Sequence, residues 1–167
     1  MTRAAKTLVV VLALALAACL VALGLLWQDL SERRELDQAG EQAERAARKA
    51  VTAMTTYDHR TLDEDFAWVE EAGTVRFQEF FAESSKQARA FIEEIRARAT
   101  GEVVAAAADV EDAERVDVLL FVDQTITSRG EEGSRIDQPR VTMTMVREGE
   151  VWLVDEVQVN NLLTSQP

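Results

Sequence analysis

The chain has 167 residues, a formal net charge of −12, one cysteine and one histidine. A single cysteine excludes an internal disulfide framework and a cysteine-based zinc site, and a single histidine excludes a multi-histidine metal centre within one chain. The acidity argues against nucleic acid as a partner, because a negative surface repels the phosphate backbone and anionic lipid headgroups alike.

Residues 7–27 read TLVVVLALALAACLVALGLLW, without a charge or a proline. As a helix rising 1.5 Å per residue they span roughly 31 Å, against a hydrocarbon core of about 30 Å. Arg3 and Lys6 precede the run, and basic residues on that side predict a cytosolic N-terminus (1–6), a single-pass transmembrane anchor (7–27) and an extracytoplasmic remainder at the cell membrane. Two rival readings are weaker. A cleaved signal peptide has a shorter apolar run, roughly 7 to 15 residues. Leu16-Ala17-Ala18-Cys19 matches a lipobox, in which Cys19 is lipidated, yet Leu20 to Trp27 stays apolar where a lipoprotein turns polar. The retained anchor is the expectation, with lipidation of Cys19 left open. About 140 residues lie beyond it, enough for one domain with its own core.

Residues 28–56 are polar and Ala-rich. Glu41–Arg45 and Glu44–Arg48 are i,i+4 pairs in the favourable orientation. Leu36, Ala39, Ala43, Ala46, Ala47, Ala50 and Met54 form a narrow stripe of mostly small residues. That stripe reads either as a coiled-coil seam continuing the anchor or as one face of a domain's first helix. Alanine makes a weak seam, which favours a juxtamembrane stalk helix (28–40) running into an extracytoplasmic domain (41–163), with a short tail (164–167).

Tyr57-Asp58-His59-Arg60 then forms a tight corner. Thr61 followed by Glu64 has the spacing of a capping box, and Asp63, Glu64 and Asp65 suit the positive end of a new helix. Leu62, Phe66 and Val69 share one face of it, and Gly73 stops it. Thr74 caps a third helix, in which Phe77, Phe81, Ala88, Ile92 and Ile95 recur at helical spacing up to Thr100-Gly101. Its aromatic stripe reads as core rather than as a cofactor contact.

After Gly101 the period changes. Four strands are expected at Val103–Val110, Arg115–Thr127, Arg140–Arg147 and Val151–Asn160, from their β-branched content and alternation. Glu148-Gly149 supplies a two-residue hairpin turn, and Ser128–Pro139 is a longer polar loop. About three helices followed by a four-stranded, mainly antiparallel sheet define an α+β domain with helices packed on one sheet face.

Two segments carry a resemblance. Tyr57-Asp58-His59-Arg60-Thr61-Leu62-Asp63-Glu64-Asp65 looks like the Tyr-Asp-Tyr-Arg-Thr-Leu-Asp corner of the actinobacterial Mce-associated (mammalian cell entry-associated) membrane proteins, with His59 where a tyrosine is common. Val141 to Val154, closing on Trp152-Leu153-Val154, looks like the terminal hairpin of the same family. One anchor followed by an acidic exterior domain is also similar. The resemblance implies a cystatin-like α+β cone, of the nuclear transport factor 2-like kind, found also in inner-membrane assembly factors of type IV secretion. It implies an accessory protein that stabilises or assembles an Mce-type lipid transport system at the cell envelope, with other envelope proteins as partners and a homo-oligomer left open. It brings no catalytic residue, cofactor or metal.

The corner also has a physical reading of its own. Tyr57, Asp58, Arg60, Thr61 and Glu64 make a structural corner: Asp58 is placed to accept backbone N–H groups or to pair with Arg60, and Tyr57 to pack under the sheet. His59 and Asp58 are adjacent, so their side chains are expected to diverge. Asp117, Asp123 and Asp155 lie on strands, and one facing inward could act as a base with a raised pKa. Ser84-Ser85 has no histidine near it in sequence, and no phosphate loop or nucleophile elbow is present. A sealed interior filled by Phe66, Phe77, Phe81, Val118 and Trp152 fits a scaffold. An open apolar cavity fits the alternative, a binding module for a lipid or steroid-like ligand. A buried, partnered carboxylate fits a cone-fold enzyme.

Overall fold

The computed structural model describes residues 3–130 and 133–160, with most side chains before Leu30 outside the description. The tail at 164–167 lies outside the described residues, and the anchor at 7–27 is described chiefly as helical backbone. Among the described residues, no helix is long and apolar enough to cross a membrane. The first helix, α1, is Arg3–Thr55. The chain divides into two compact units after Asp37. In the first unit the described backbone is helical throughout.

The second unit holds the rest of α1 and all other elements. After α1 come β1 (Tyr57–Asp58), α2 (Leu62–Asp65), α3 (Trp68–Ala72) and α4 (Val75–Glu94). Then follow β2 (Arg98–Val110), β3 (Arg115–Thr127), β4 (Arg135–Asp137), β5 (Arg140–Glu148) and β6 (Val151–Asn160). The strands form one antiparallel sheet in the order β1-β2-β3-β5-β6, with β4 pairing beside the end of β3. This is an α+β cone of the nuclear transport factor 2-like kind, its helices packed on a curled sheet.

Alternation along the strands decides what the helices cover. Val116, Val118, Leu120 and Val122 of β3 are buried, as are Val141, Met143 and Met145 of β5 and Trp152 and Val154 of β6. Ala39, Ala43, Ala47, Ala50 and Val51 of α1 pack into that same cluster. The alanine stripe therefore closes against this unit's own sheet, and the domain-helix reading of it holds. Small side chains let the helix lie close over the apolar face.

Several boundaries differ from expectation. The helix after the corner is broken at Phe66-Ala67 into α2 and α3, a single turn and little more. Gly73 does end α3, but in extended conformation (φ −105°, ψ 147°) rather than the left-handed one. It is needed for space: an added Cβ would lie 2.8 Å from both Phe77 Cδ1 and Val69 O. The third helix stops at Glu94, not at Thr100-Gly101. Arg96 turns left-handed (φ 52°) and Ala97 N–H donates back to Ile92 O at 2.9 Å. β2 accordingly starts at Arg98, five residues before the expected Val103, because Ala97 and Ala99 already bury inward. The Ser128–Pro139 loop contains β4, and the corner contains β1; neither two- or three-residue strand is long enough to show alternation. The β5–β6 hairpin turns on Gly149-Glu150, with Gly149 at φ 65°, one residue beyond the expected pair.

Candidate functional site

Two features of the second unit hold polar chemistry: the corner after α1 and a cleft beneath α4. At the corner, β1 pairs Tyr57 with Ala99 and Asp58 with Arg98. Asp58 then gathers cations and donors. Its Oδ1 accepts Arg60 N–H at 3.0 Å, its Oδ2 accepts Arg60 Nη2 at 2.8 Å, and Arg98 Nε lies 2.8 Å from Oδ2. Both expected roles, backbone acceptor and partner of Arg60, are filled at once. His59 does not diverge from it: His59 Nδ1 sits 3.2 Å from Asp58 Oδ1, though without a hydrogen bond. The cause is backbone pairing, since His59 N–H donates to Ala97 O at 3.0 Å and holds the residue beside the sheet.

The capping box is corrected. Thr61 caps nothing through its side chain. Its hydroxyl donates to Asp65 Oδ2 at 2.9 Å, and the same oxygen accepts Asp58 N–H at 2.8 Å. Asp65, not Glu64, is the carboxylate that reaches back, because α2 is one turn long and position 65 faces the corner. Thr74 does cap α4: its hydroxyl oxygen accepts Phe77 N–H at 3.2 Å and its O–H donates to Asp155 Oδ1 at 3.0 Å.

The carboxylates considered as bases are all engaged. Asp117 accepts Thr144 Oγ1–H at 2.7 Å and Asp123 accepts Gln138 Nε2 at 2.8 Å. Asp155 is bound by Arg76 Nε at 3.1 Å. Hydrogen bonding from Arg76, then from Thr74, holds the Asp155 carboxyl below its ordinary value, so it lacks the raised pKa a general base needs. Hydrogen bonding from Arg60, with the charges of Arg60 and Arg98, likewise holds the Asp58 carboxyl far below the carboxylate range. Among the described residues, no cluster of three or more His, Cys, Asp or Glu could hold a metal ion.

These depressed values set an acid response. A carboxylate whose folded pKa lies below its unfolded value of about 3.9 stabilises the fold at neutral pH, and that stabilisation is lost as pH falls below that value. Asp58→Ala is therefore expected to lower the melting temperature at pH 7 by several degrees, through unpaired donors at the corner. The gap between variant and wild type shrinks on titration below about pH 4, where the carboxylate of the unfolded chain begins to protonate while the native one stays ionised. An unchanged melting temperature at pH 7 removes Asp58 from the fold's supports.

The aromatic residues converge under α4. Phe66 meets Tyr57 and Phe81 edge-on at centroid distances of 6.4 and 5.5 Å, and Trp68 lies 6.0 Å from Phe77. Phe66, Phe77, Val118 and Trp152 are buried as expected; Phe81 is half-buried. The interior is not sealed, however. A cleft of about 380 Å³ runs between the end of α1, the inner face of α4 and the β3–β5 side of the sheet, with Phe66 and Phe81 among its walls. Phe77, Val118 and Trp152 belong to the filled core beside it.

The chain is similar to an IcmL-like type IV secretion system protein of Legionella pneumophila, with TM-score 0.63 and 10% identity, covering 76% of this chain and 94% of that one. It is similar to VirB8 of Agrobacterium tumefaciens, with TM-score 0.59 and 10% identity over 77% of this chain and 96% of that one. It is also similar to CagV of Helicobacter pylori, a VirB8 homolog, with TM-score 0.53 and 20% identity over 71% and 96%. No protein-family model matches the sequence, and no curated protein matches it.

Proposed function

We propose that this chain is a membrane-anchored, non-enzymatic accessory protein whose outer domain docks on and stabilises other envelope proteins, and that the machine it serves is an Mce-type lipid transport system. The observation that supports the accessory role is the cone fold shared with nearly the whole length of three solved proteins, two of them named for type IV secretion systems and the third the VirB8 protein of Agrobacterium tumefaciens. The apolar run 7–27, with Arg3 and Lys6 ahead of it, supports a tether with the domain outside the cytoplasm. The corner at Tyr57–Asp65 and the closing hairpin at Val141–Val154 support the lipid-transport setting. Each carboxylate considered as a base is bound by a donor on a neighbouring residue, which fits a scaffold.

Crosslinking in the native membrane, followed by identification of the captured proteins, tests the partner. Recovery of components of a lipid importer is the expected result. Recovery of secretion-channel subunits contradicts the transport setting, and recovery of no envelope protein contradicts the accessory role. Removing residues 1–27 is expected to leave a folded, soluble domain with its melting temperature unchanged, and to abolish transport. Transport supported by that domain alone overturns the need for a tether.

A further inference from the structure

We propose that the cleft beneath α4 is a binding site for a small uncharged molecule with an apolar body and a hydroxyl group, of the size of a sterol nucleus or one long-chain alcohol. The inference goes beyond the scaffold role and stands or falls separately from it.

Size and walls set the first limit. A volume of about 380 Å³ lies at the lower end of the roughly 300–1,000 Å³ typical of small-molecule sites. It suits one ring system or one chain rather than a two-chain phospholipid. Phe66 at the break between α2 and α3, Phe81 and Ile92 of α4 and Val141 of β5 supply apolar surface.

The polar lining sets the second limit. Ser85 is 8% exposed, and its hydroxyl makes no hydrogen bond with the described residues. Its oxygen is not among the buried side-chain atoms that lack a partner, so it keeps access to the open cleft and can pair with a ligand there. The Tyr57 hydroxyl also lines the cleft without a partner among the described residues. Burial, then the nearby Asp137 charge, pushes the Tyr57 phenol up from its ordinary value, so it remains a donor at neutral pH. Gln124 spends its Nε2 on Thr55 O at 2.9 Å, which leaves its Oε1 as an acceptor. Donors and an acceptor therefore line one cleft, which is what a ligand hydroxyl requires.

Charge sets the third limit. No Lys, Arg or His is among the described residues lining the cleft. The carboxylate in its wall, Asp137, is already held by Arg135 Nε at 2.9 Å and Nη2 at 3.0 Å. An anionic headgroup would find no cation in the lining to pair with, and a cation would find the acid already held by Arg135. An uncharged ligand meets neither penalty.

The test uses the full-length chain in lipid nanodiscs, photolabelled with a diazirine-bearing long-chain alcohol and, separately, with the matching carboxylic acid at pH 8. Labelled residues are mapped by mass spectrometry. The alcohol is expected to label α4 and the Ile136–Val141 stretch at least fivefold more than the acid does. Ala88→Trp places a bulky ring in the lining from an exposed helix position and is expected to cut that labelling at least tenfold. Ala90→Trp, exposed on the same helix but outside the lining, leaves it unchanged. Ser85→Val deletes the hydroxyl without blocking the cleft and narrows the alcohol-to-acid ratio, which keeps the test decisive should the tryptophan variant misfold. Equal labelling by acid and alcohol, labelling indifferent to both variants, or labelling confined to residues 7–27 overturns the assignment.

Discussion

Gly101→Ala is expected to destabilise the α+β domain by about 3 kcal/mol, near the upper end of what an extra methyl in a packed interior costs. For a domain of this size that is a fall in melting temperature of roughly 10 °C. The reason is a close approach, not backbone conformation. A Cβ on Gly101 would lie 1.9 Å from Thr55 Oγ1 and 2.6 Å from Thr55 Cβ. Rotating the threonine relieves only the first contact, because its Cβ is fixed by the helix backbone. Thr55 cannot retreat easily: it is 5% exposed, its hydroxyl donates to Val51 O at 2.7 Å and its carbonyl accepts Gln124 Nε2 at 2.9 Å. Gly101 N–H also donates to Thr56 Oγ1 at 3.2 Å. The end of α1 is therefore stitched to the β2–β3 pair at this glycine, and an added methyl must prise the two apart. Thr55→Gly in the Gly101→Ala background is expected to recover part of the loss, a coupling that chemical denaturation reads directly. A wild-type denaturation midpoint for Gly101→Ala contradicts the contact.

The second large effect separates the two faces of β3. Leu120 is fully buried and Leu119, its neighbour, is 37% exposed on the opposite face. Leu120→Ala is expected to cost about 3–4 kcal/mol, the sum of lost transfer energy and the cavity left behind. Leu119→Ala should cost less than about 1 kcal/mol. Leu120 is paired across β3 to Ala106 on one side and Val141 on the other, so the surrounding backbone has little freedom to collapse into the gap. Since a register slip of one residue exchanges the faces, equal effects at the two positions would mean that the sheet is paired differently.

The sheet was the most legible part of the chain. β3, β5 and β6 carry alternation long enough to declare both their extent and their buried face, and Val118 and Trp152 fall where that alternation puts them. Thr74 was legible as a cap because its hydroxyl needs only the local N–H three residues on. What escaped were features created by tertiary contact. Ala97 and Ala99 bury at the start of β2 inside what reads as helix, since alanine favours helix and only the left-handed Arg96 marks the change. Asp65 displaced Glu64 at the corner because α2 ends after one turn, which spacing cannot reveal. The Asp58 cluster was half visible: Arg60 is a sequence neighbour, whereas Arg98 arrives only through β1–β2 pairing. The cleft was legible only as an alternative, since Phe66 and Phe81 line it while Phe77, Val118 and Trp152 fill the core beside it. Ser85 and Gln124 carry no motif that sets them apart; convergence across α4 and β3 gives them their interest.

The account rests on the outer domain being held at the membrane on its far side. The direct measurement is labelling of spheroplasts with a membrane-impermeant maleimide, using Cys19→Ser combined with Thr127→Cys at an exposed strand position of β3. The introduced thiol is expected to react fully in intact spheroplasts, with all of the chain in the membrane fraction. Labelling that appears only after lysis, or a chain recovered in the soluble fraction, contradicts it.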